Sequence, residues 1–161
     1  MNNTYPKRKP TRLKNYDYGS NGAYFITICT HNRKKLLSEI VGEGLRALPT
    51  IQLTEIGYHV KSAIEYMKVN YAHITVDNYI IMPNHIHLLV VISNESGGRG
   101  NPPLQDVIGY LKSYTTKLYG GCLWQRSFHD HIIRDDDDYN KIYDYIKYNH
   151  LKWTTDCFYV E

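Results

Sequence analysis

Cysteine is scarce: Cys29, Cys122 and Cys157 are widely spaced in 161 residues, and no two form a C-x-x-C pair. An odd, scattered set excludes a disulfide framework and a cysteine-built zinc site, and it fits a reducing compartment. Long apolar runs are also missing, so nothing approaches membrane-spanning length. The N-terminus is polar and basic rather than signal-like. A soluble, cytoplasmic protein is expected. Charge of one sign is in only slight excess, at net +3, which permits nucleic-acid binding without demanding it. Phenylalanine and tryptophan are few, 3 and 2, against 16 tyrosines. Tyrosine pairs a flat stacking face with a polar end, useful for holding unpaired bases, although it also fills strands well.

What is present centres on Asn78-Tyr79-Ile80-Ile81-Met82-Pro83-Asn84-His85-Ile86-His87-Leu88-Leu89-Val90-Val91-Ile92. Two apolar runs flank a Pro-Asn turn, and two histidines separated by one residue open the second run. Side chains alternate along a strand, so His85 and His87 share one face while Ile86, Leu88, Val90 and Ile92 point to a buried layer. Two imidazoles on a rigid strand can share a metal ion. Paired histidines at a sheet margin are also common without one, and the spacing is far less specific than a four-ligand signature.

The rest of the chain supplies an α+β framework of one domain, large enough for a real core. Residues 1–21 form a basic arm carrying Lys7, Arg8, Lys9, Arg12 and Lys14. Tyr24 to Thr30 is a strand by alternation, followed by a basic turn over His31-Asn32-Arg33-Lys34-Lys35. Ser38 to Thr50 is broken by glycine and proline and is expected to wrap loosely, ahead of a short strand at Ile51-Gln52-Leu53. Thr54 caps a helix running to about Asn70 on Ile56, Val60, Ala63, Ile64 and Met67. Ile74–Met82 and His85–Ser93 pair as antiparallel strands, and residues 94–103 make a flexible connector. Leu104, Val107, Ile108, Leu111, Thr115 and Leu118 mark a second helix closed by Gly120-Gly121. A fourth strand follows over Ser127–Ile133. Asp135 to Asp138 open a third helix with Tyr139, Ile142, Tyr143 and Ile146 as its buried stripe. This order predicts a ferredoxin-like antiparallel sheet with helices on one face and an additional C-terminal helix.

A metal held by two histidines needs further ligands. Tyr145 and Asn149 lie four apart on the third helix, so one turn could deliver an amide oxygen to the ion and a phenol beside it. Phosphodiester cleavage by tyrosine uses such a set: the ion stabilises charge developing on the phosphate while the phenol forms a covalent phosphotyrosine. Tyr66 and Asn70 share the spacing, and Tyr110 and Tyr114 are further competitors, so residue pattern alone leaves the nucleophile open.

Met82-Pro83-Asn84-His85-Ile86-His87-Leu88-Leu89 resembles the HUH motif of single-tyrosine transposases. Leu123-Trp124-Gln125-Arg126-Ser127-Phe128-His129-Asp130-His131-Ile132-Ile133-Arg134, with Asp138-Tyr139, Asp144-Tyr145-Ile146 and the strand Tyr24 to His31, is similar to the REP-associated tyrosine transposase branch. The resemblance spans nearly the whole chain. It implies a metal-dependent endonuclease and strand transferase acting on single-stranded DNA near hairpins, with Mg²⁺ or Mn²⁺ as cofactor. Carried over, His85, His87 and Asn149 hold the metal and Tyr145 is the nucleophile. Relatives commonly have Asn-Pro where this chain has Asn149-His150, which leaves the helix end less sharply fixed. They include monomers and dimers, so a homodimer donating the tyrosine across its interface is one arrangement to test.

Phosphate contacts are expected from Arg33, Lys34, Lys35, Lys112, Lys117 and Arg126. Three rival classes make different demands. A non-catalytic single-strand-binding module would bind DNA equally well with EDTA and form no adduct. A small-phosphoester hydrolase would not depend on a tyrosine. A replication-initiator-type nickase belongs to larger multidomain chains.

Overall fold

The computed structural model describes residues 20–42, 48–93 and 101–160. Nearly all of the expected N-terminal arm and most of the connector over 94–103 lie outside these. Among the described residues, six strands and three α-helices follow in order: β1 (Gly22–Cys29), β2 (Ser38–Val41), β3 (Thr50–Leu53), α1 (Glu55–Asn70), β4 (Ile74–Ile81), β5 (His85–Ile92), α2 (Leu104–Tyr119), β6 (His129–Ile133) and α3 (Asp136–Tyr148). The main sheet is antiparallel with order β4-β5-β1-β6, the ferredoxin-like arrangement in which the first and third main strands are central.

Alternation along the central strands builds two cores. Ile26 and Ile28 of β1 and Ile86, Leu88, Val90 and Ile92 of β5 meet α1 and α2 on one face. Leu89 and Ile80 meet Ile142 and Ile146 of α3, with Trp153 beyond it, on the other. The additional helix therefore covers the face opposite the first two helices, which is the face carrying the histidine pair. Of the stripe expected on α3, Ile142 and Ile146 are buried, whereas Tyr143 is 38% exposed; likewise Leu118 on α2 is 44% exposed. Both fall on the apolar helical period but beyond the width of the packed stripe.

Two other boundaries differ from expectation. Ser38–Val41 is a strand rather than a loose wrap, because it pairs with β3 and Ser38 Oγ donates to Ile81 O at 2.9 Å. The fourth main strand starts at His129, two residues later than its apolar lead-in implies. The third helix is followed by a 3-10 segment, Asn149–Thr155, which turns the chain back over the sheet.

Two local devices set the layers. Thr54 caps α1 by accepting from the Gly57 amide at 3.1 Å and donates to Leu36 O at 2.7 Å, drawing the helix start onto the segment before β2. At Gly57 an added Cβ would stand 2.0 Å from Leu37 O. Gly57→Ala is therefore expected to cost about 3 kcal/mol, the upper end for overpacking against atoms that cannot retreat. An unchanged urea-unfolding midpoint would refute this reading.

The second device is a bulge in β4. Val76 pairs with Val90 and Asn78 with Leu89, so Asp77 is the extra residue. Asp77 and Asn78 consequently both reach α3: the Tyr139 hydroxyl donates to the Asp77 carboxylate, and Asn78 Nδ2 donates to Tyr143 O at 3.0 Å.

Candidate active site

The Pro83-Asn84 turn is closed by the Met82 amide donating to His85 O at 2.9 Å. Preceding segments pin it from outside, since the Leu36 and Leu37 amides both donate to Pro83 O. β5 then starts with His85 and His87 side by side, ring centroids 4.5 Å apart, and with essentially no solvent exposure at either residue. Burial, then the Arg33 charge, pushes the His85 pKa down to about 3. Burial and the neighbouring His85 hold His87 well below its ordinary range. Both rings are thus neutral at physiological pH, the form that ligates metals.

Tyr145 reaches the pair from α3. Its hydroxyl lies 3.5 Å from His87 Nε2, and its ring meets Phe25 edge-on at 5.9 Å. Asn149, 3% exposed, sits one turn further along. The chain then folds back and brings Asp156 into the same space. Tyr145 Oη donates to Asp156 Oδ2 at 3.4 Å, and Asn149 Nδ2 donates to that oxygen at 3.0 Å. Burial, followed by the Asp156 charge, raises the Tyr145 phenol to about 12.

His85, His87 and Asp156 each offer one ligand atom, all within 4.8 Å of one another. Two buried polar atoms close to this trio, His85 Nε2 and Asn149 Oδ1, have no hydrogen-bond partner among the described residues. Orphaned buried acceptors are costly, and a cation would satisfy both. Two imidazole nitrogens with oxygen donors suit Mn²⁺ and admit Mg²⁺. Asp156 was not visible to pattern reasoning, because it belongs to no helical or strand spacing and reaches the site only through the 3-10 turn.

The structure separates the expected basic residues into two groups. Arg33 lies beside the site, donating to Cys157 O at 3.2 Å and standing over the Phe158 ring. Lys35 faces the Tyr159 ring at 5.8 Å, and Lys34 is exposed on the same turn. Lys112 and Lys117 belong to α2, which packs on the opposite face, and Arg126 lies in the loop to which Lys112 is tied. Lys112 Nζ donates to the carbonyls of Gln125 and Arg126 at 2.7 and 3.0 Å. A groove of about 530 Å³ opens at the tyrosine, lined in part by Lys141, Tyr148 and Lys152. Among the described residues, no helix is long and apolar enough to cross a membrane.

No family model matches the chain. An uncharacterized protein of Haemophilus influenzae is 33% identical over 175 aligned positions, covering 96% of this chain and 94% of its own length. A second protein of that organism, named "Putative REP-associated tyrosine transposase", is 30% identical, covering 87% of this chain and 77% of its own. The chain belongs to the REP-associated tyrosine transposase family. A solved structure described as the REP-associated tyrosine transposase bound to a REP hairpin matches the fold with a TM-score of 0.62 at 21% identity. That match covers 88% of this chain and 73% of the other. Membership in this transposase family accords with the resemblance carried by the motifs around His85, Arg126 and Tyr145.

Proposed function

We propose that this transposase-family chain cleaves and rejoins single-stranded DNA beside hairpins, through a covalent phosphotyrosine on Tyr145. The observation that carries the reading is the Tyr145 hydroxyl held 3.5 Å from His87 Nε2 by a helix packed on the sheet face. His85, His87 and Asp156 would hold a divalent cation, Mg²⁺ or Mn²⁺, with the Asn149 amide oxygen completing the set. Such a cation polarises a bound phosphate and offsets the charge that grows on its oxygens.

The chain's own groups account for the remaining chemistry. Tyr145 Oη attacks phosphorus while the bond to one strand end breaks, and that end leaves as a hydroxyl after taking a proton from water. A phenol raised to about 12 is protonated at neutral pH, so its proton must go to an acceptor. Asp156 Oδ2, at 3.4 Å, is that acceptor. Rejoining is the reverse: a strand-end hydroxyl attacks the phosphotyrosine and the phenol is restored, so no ATP is consumed. The Tyr145–His87 contact lies within one chain, which supports action in cis. Arg33, Lys34 and Lys35 border the site, and Lys141 and Lys152 line the groove at the tyrosine. All five fit the phosphates of a strand passing between them. Lys112, Lys117 and Arg126 would contact DNA only where the duplex wraps around to the α1–α2 side.

The test is a denaturing gel with labelled hairpin oligonucleotides carrying single-stranded flanks. Mn²⁺ should yield a protein–DNA adduct, EDTA should remove it, and peptide mass spectrometry should place the nucleotide on Tyr145. Equal DNA binding in both conditions without an adduct would favour a non-catalytic binding module.

A further inference from the structure

Asn84 is fully buried in the turn before the histidine pair. Its Nδ2 donates to Phe158 O at 2.7 Å and to Arg33 O at 3.3 Å. Only the amino end of a carboxamide can serve two carbonyls, so these bonds fix which way the side chain faces. The carbonyl end, Oδ1, is thereby aimed at His85 Nδ1, 2.9 Å away. An amide oxygen has no proton to give. His85 Nδ1 must therefore carry the hydrogen, leaving a bare lone pair on Nε2, the buried atom without a partner among the described residues.

His87 is held differently. Its Nδ1 lies 2.8 Å from Thr27 Oγ1, and a hydroxyl both accepts and donates. Thr27 can follow either tautomer of His87, whereas Asn84 permits only one of His85. Asn84 also reaches the third ligand: the Phe158 amide donates to Asp156 Oδ1 at 2.7 Å, so the Asn84–Phe158 bond anchors the turn that presents Asp156.

We propose that Asn84 is a positioning residue, one amide that sets the ligating tautomer of His85 and tethers the Asp156-bearing turn to it. This rests on the metal-site reading for its purpose but not for its first claim, which concerns the metal-free protein. Partners that hold the far nitrogen of a metal-bound histidine typically change affinity about 10–100-fold when removed. The bland alternative is that Asn84 only satisfies turn carbonyls.

The experiment is long-range ¹⁵N–¹H NMR of the imidazoles in metal-free, mildly alkaline buffer, followed by Mn²⁺ titration read by electron paramagnetic resonance. The wild-type protein should show His85 as the Nδ1–H tautomer. Asn84→Ala should move His85 toward Nε2–H and weaken Mn²⁺ about 10–100-fold. Asn84→Asp keeps an acceptor at that position, so it should retain Nδ1–H while loosening the turn. His85 found as Nε2–H in the wild type, or unmoved in a folded Asn84→Ala variant, overturns the proposal. Where Asn84→Ala does not fold, the wild-type spectrum still tests the proposal, because His85 found as Nε2–H overturns it. The expected tautomer with no Mn²⁺ binding would uphold the role of Asn84 and overturn the metal site itself.

Discussion

Tyr145→Phe is expected to eliminate the covalent protein–DNA adduct while leaving hairpin binding within about twofold. The substitution removes one oxygen. The ring's edge contact with Phe25 at 5.9 Å and its approach to His87 at 5.3 Å are retained. The Cys157 thiol in the same groove is a poor replacement, because burial and Asp156 push it up. Losing the nucleophile of a covalent catalyst costs on the order of 10⁶ in rate, enough to erase product in a single-turnover assay. Binding is read by fluorescence anisotropy on the same oligonucleotide. A full-strength adduct in Tyr145→Phe, mapped to Tyr66, Tyr110 or Tyr114, would overturn the assignment. Those three rings stack on one another across α1 and α2, with centroids 5.3 and 6.0 Å apart, on the sheet's opposite side.

The second large effect is a loss of stability in acid that arises at the histidine pair. His85 is neutral in the folded protein down to about pH 3, whereas in the unfolded chain it titrates near 6.5. Below about pH 6.5 the unfolded state therefore binds a proton that the folded state refuses, and stability falls as pH falls. At about 1.4 kcal/mol per unit, His85 alone should cost roughly 3 kcal/mol between pH 7 and about pH 4. His87 is displaced in the same direction and adds to the loss. Urea unfolding at the two pH values measures the difference, and His85→Leu should remove most of the His85 share while other acid-sensitive groups remain. A wild-type midpoint that does not move over this range would contradict the buried, neutral pair.

The strand bearing the histidines was legible because every second residue is apolar and faces a core, a pattern that tolerates no slip in register. Helix starts at Thr54 and Asp135 were equally plain, since each side chain accepts from the amide three residues on. Tyr145 was narrowed by helical spacing and selected by family resemblance, because three other helical tyrosines looked alike locally. Asp156, Thr27 and Asn84 had no such signal. Each acts through a contact between segments distant in the chain: Thr27 with His87, Asn84 with Phe158, Asp156 with Tyr145. Strand β2 was hidden for a related reason. Its four residues pair only with an equally short β3, and the glycine and proline between them obscured the match.

The bulge at Asp77 carries a cost in evolvability. One surplus residue lets two neighbouring polar side chains grip the helix that carries Tyr145, so removing a single codon there would restore a regular ladder and take away the Asp77–Tyr139 half of that grip. The apolar residues on either side would keep their facing, and the sheet would still form. A lineage that lost this one amino acid would therefore be expected to keep a foldable protein in which Ile142 and Ile146 still seat the third helix on the sheet, with one fewer polar contact to fix its placement.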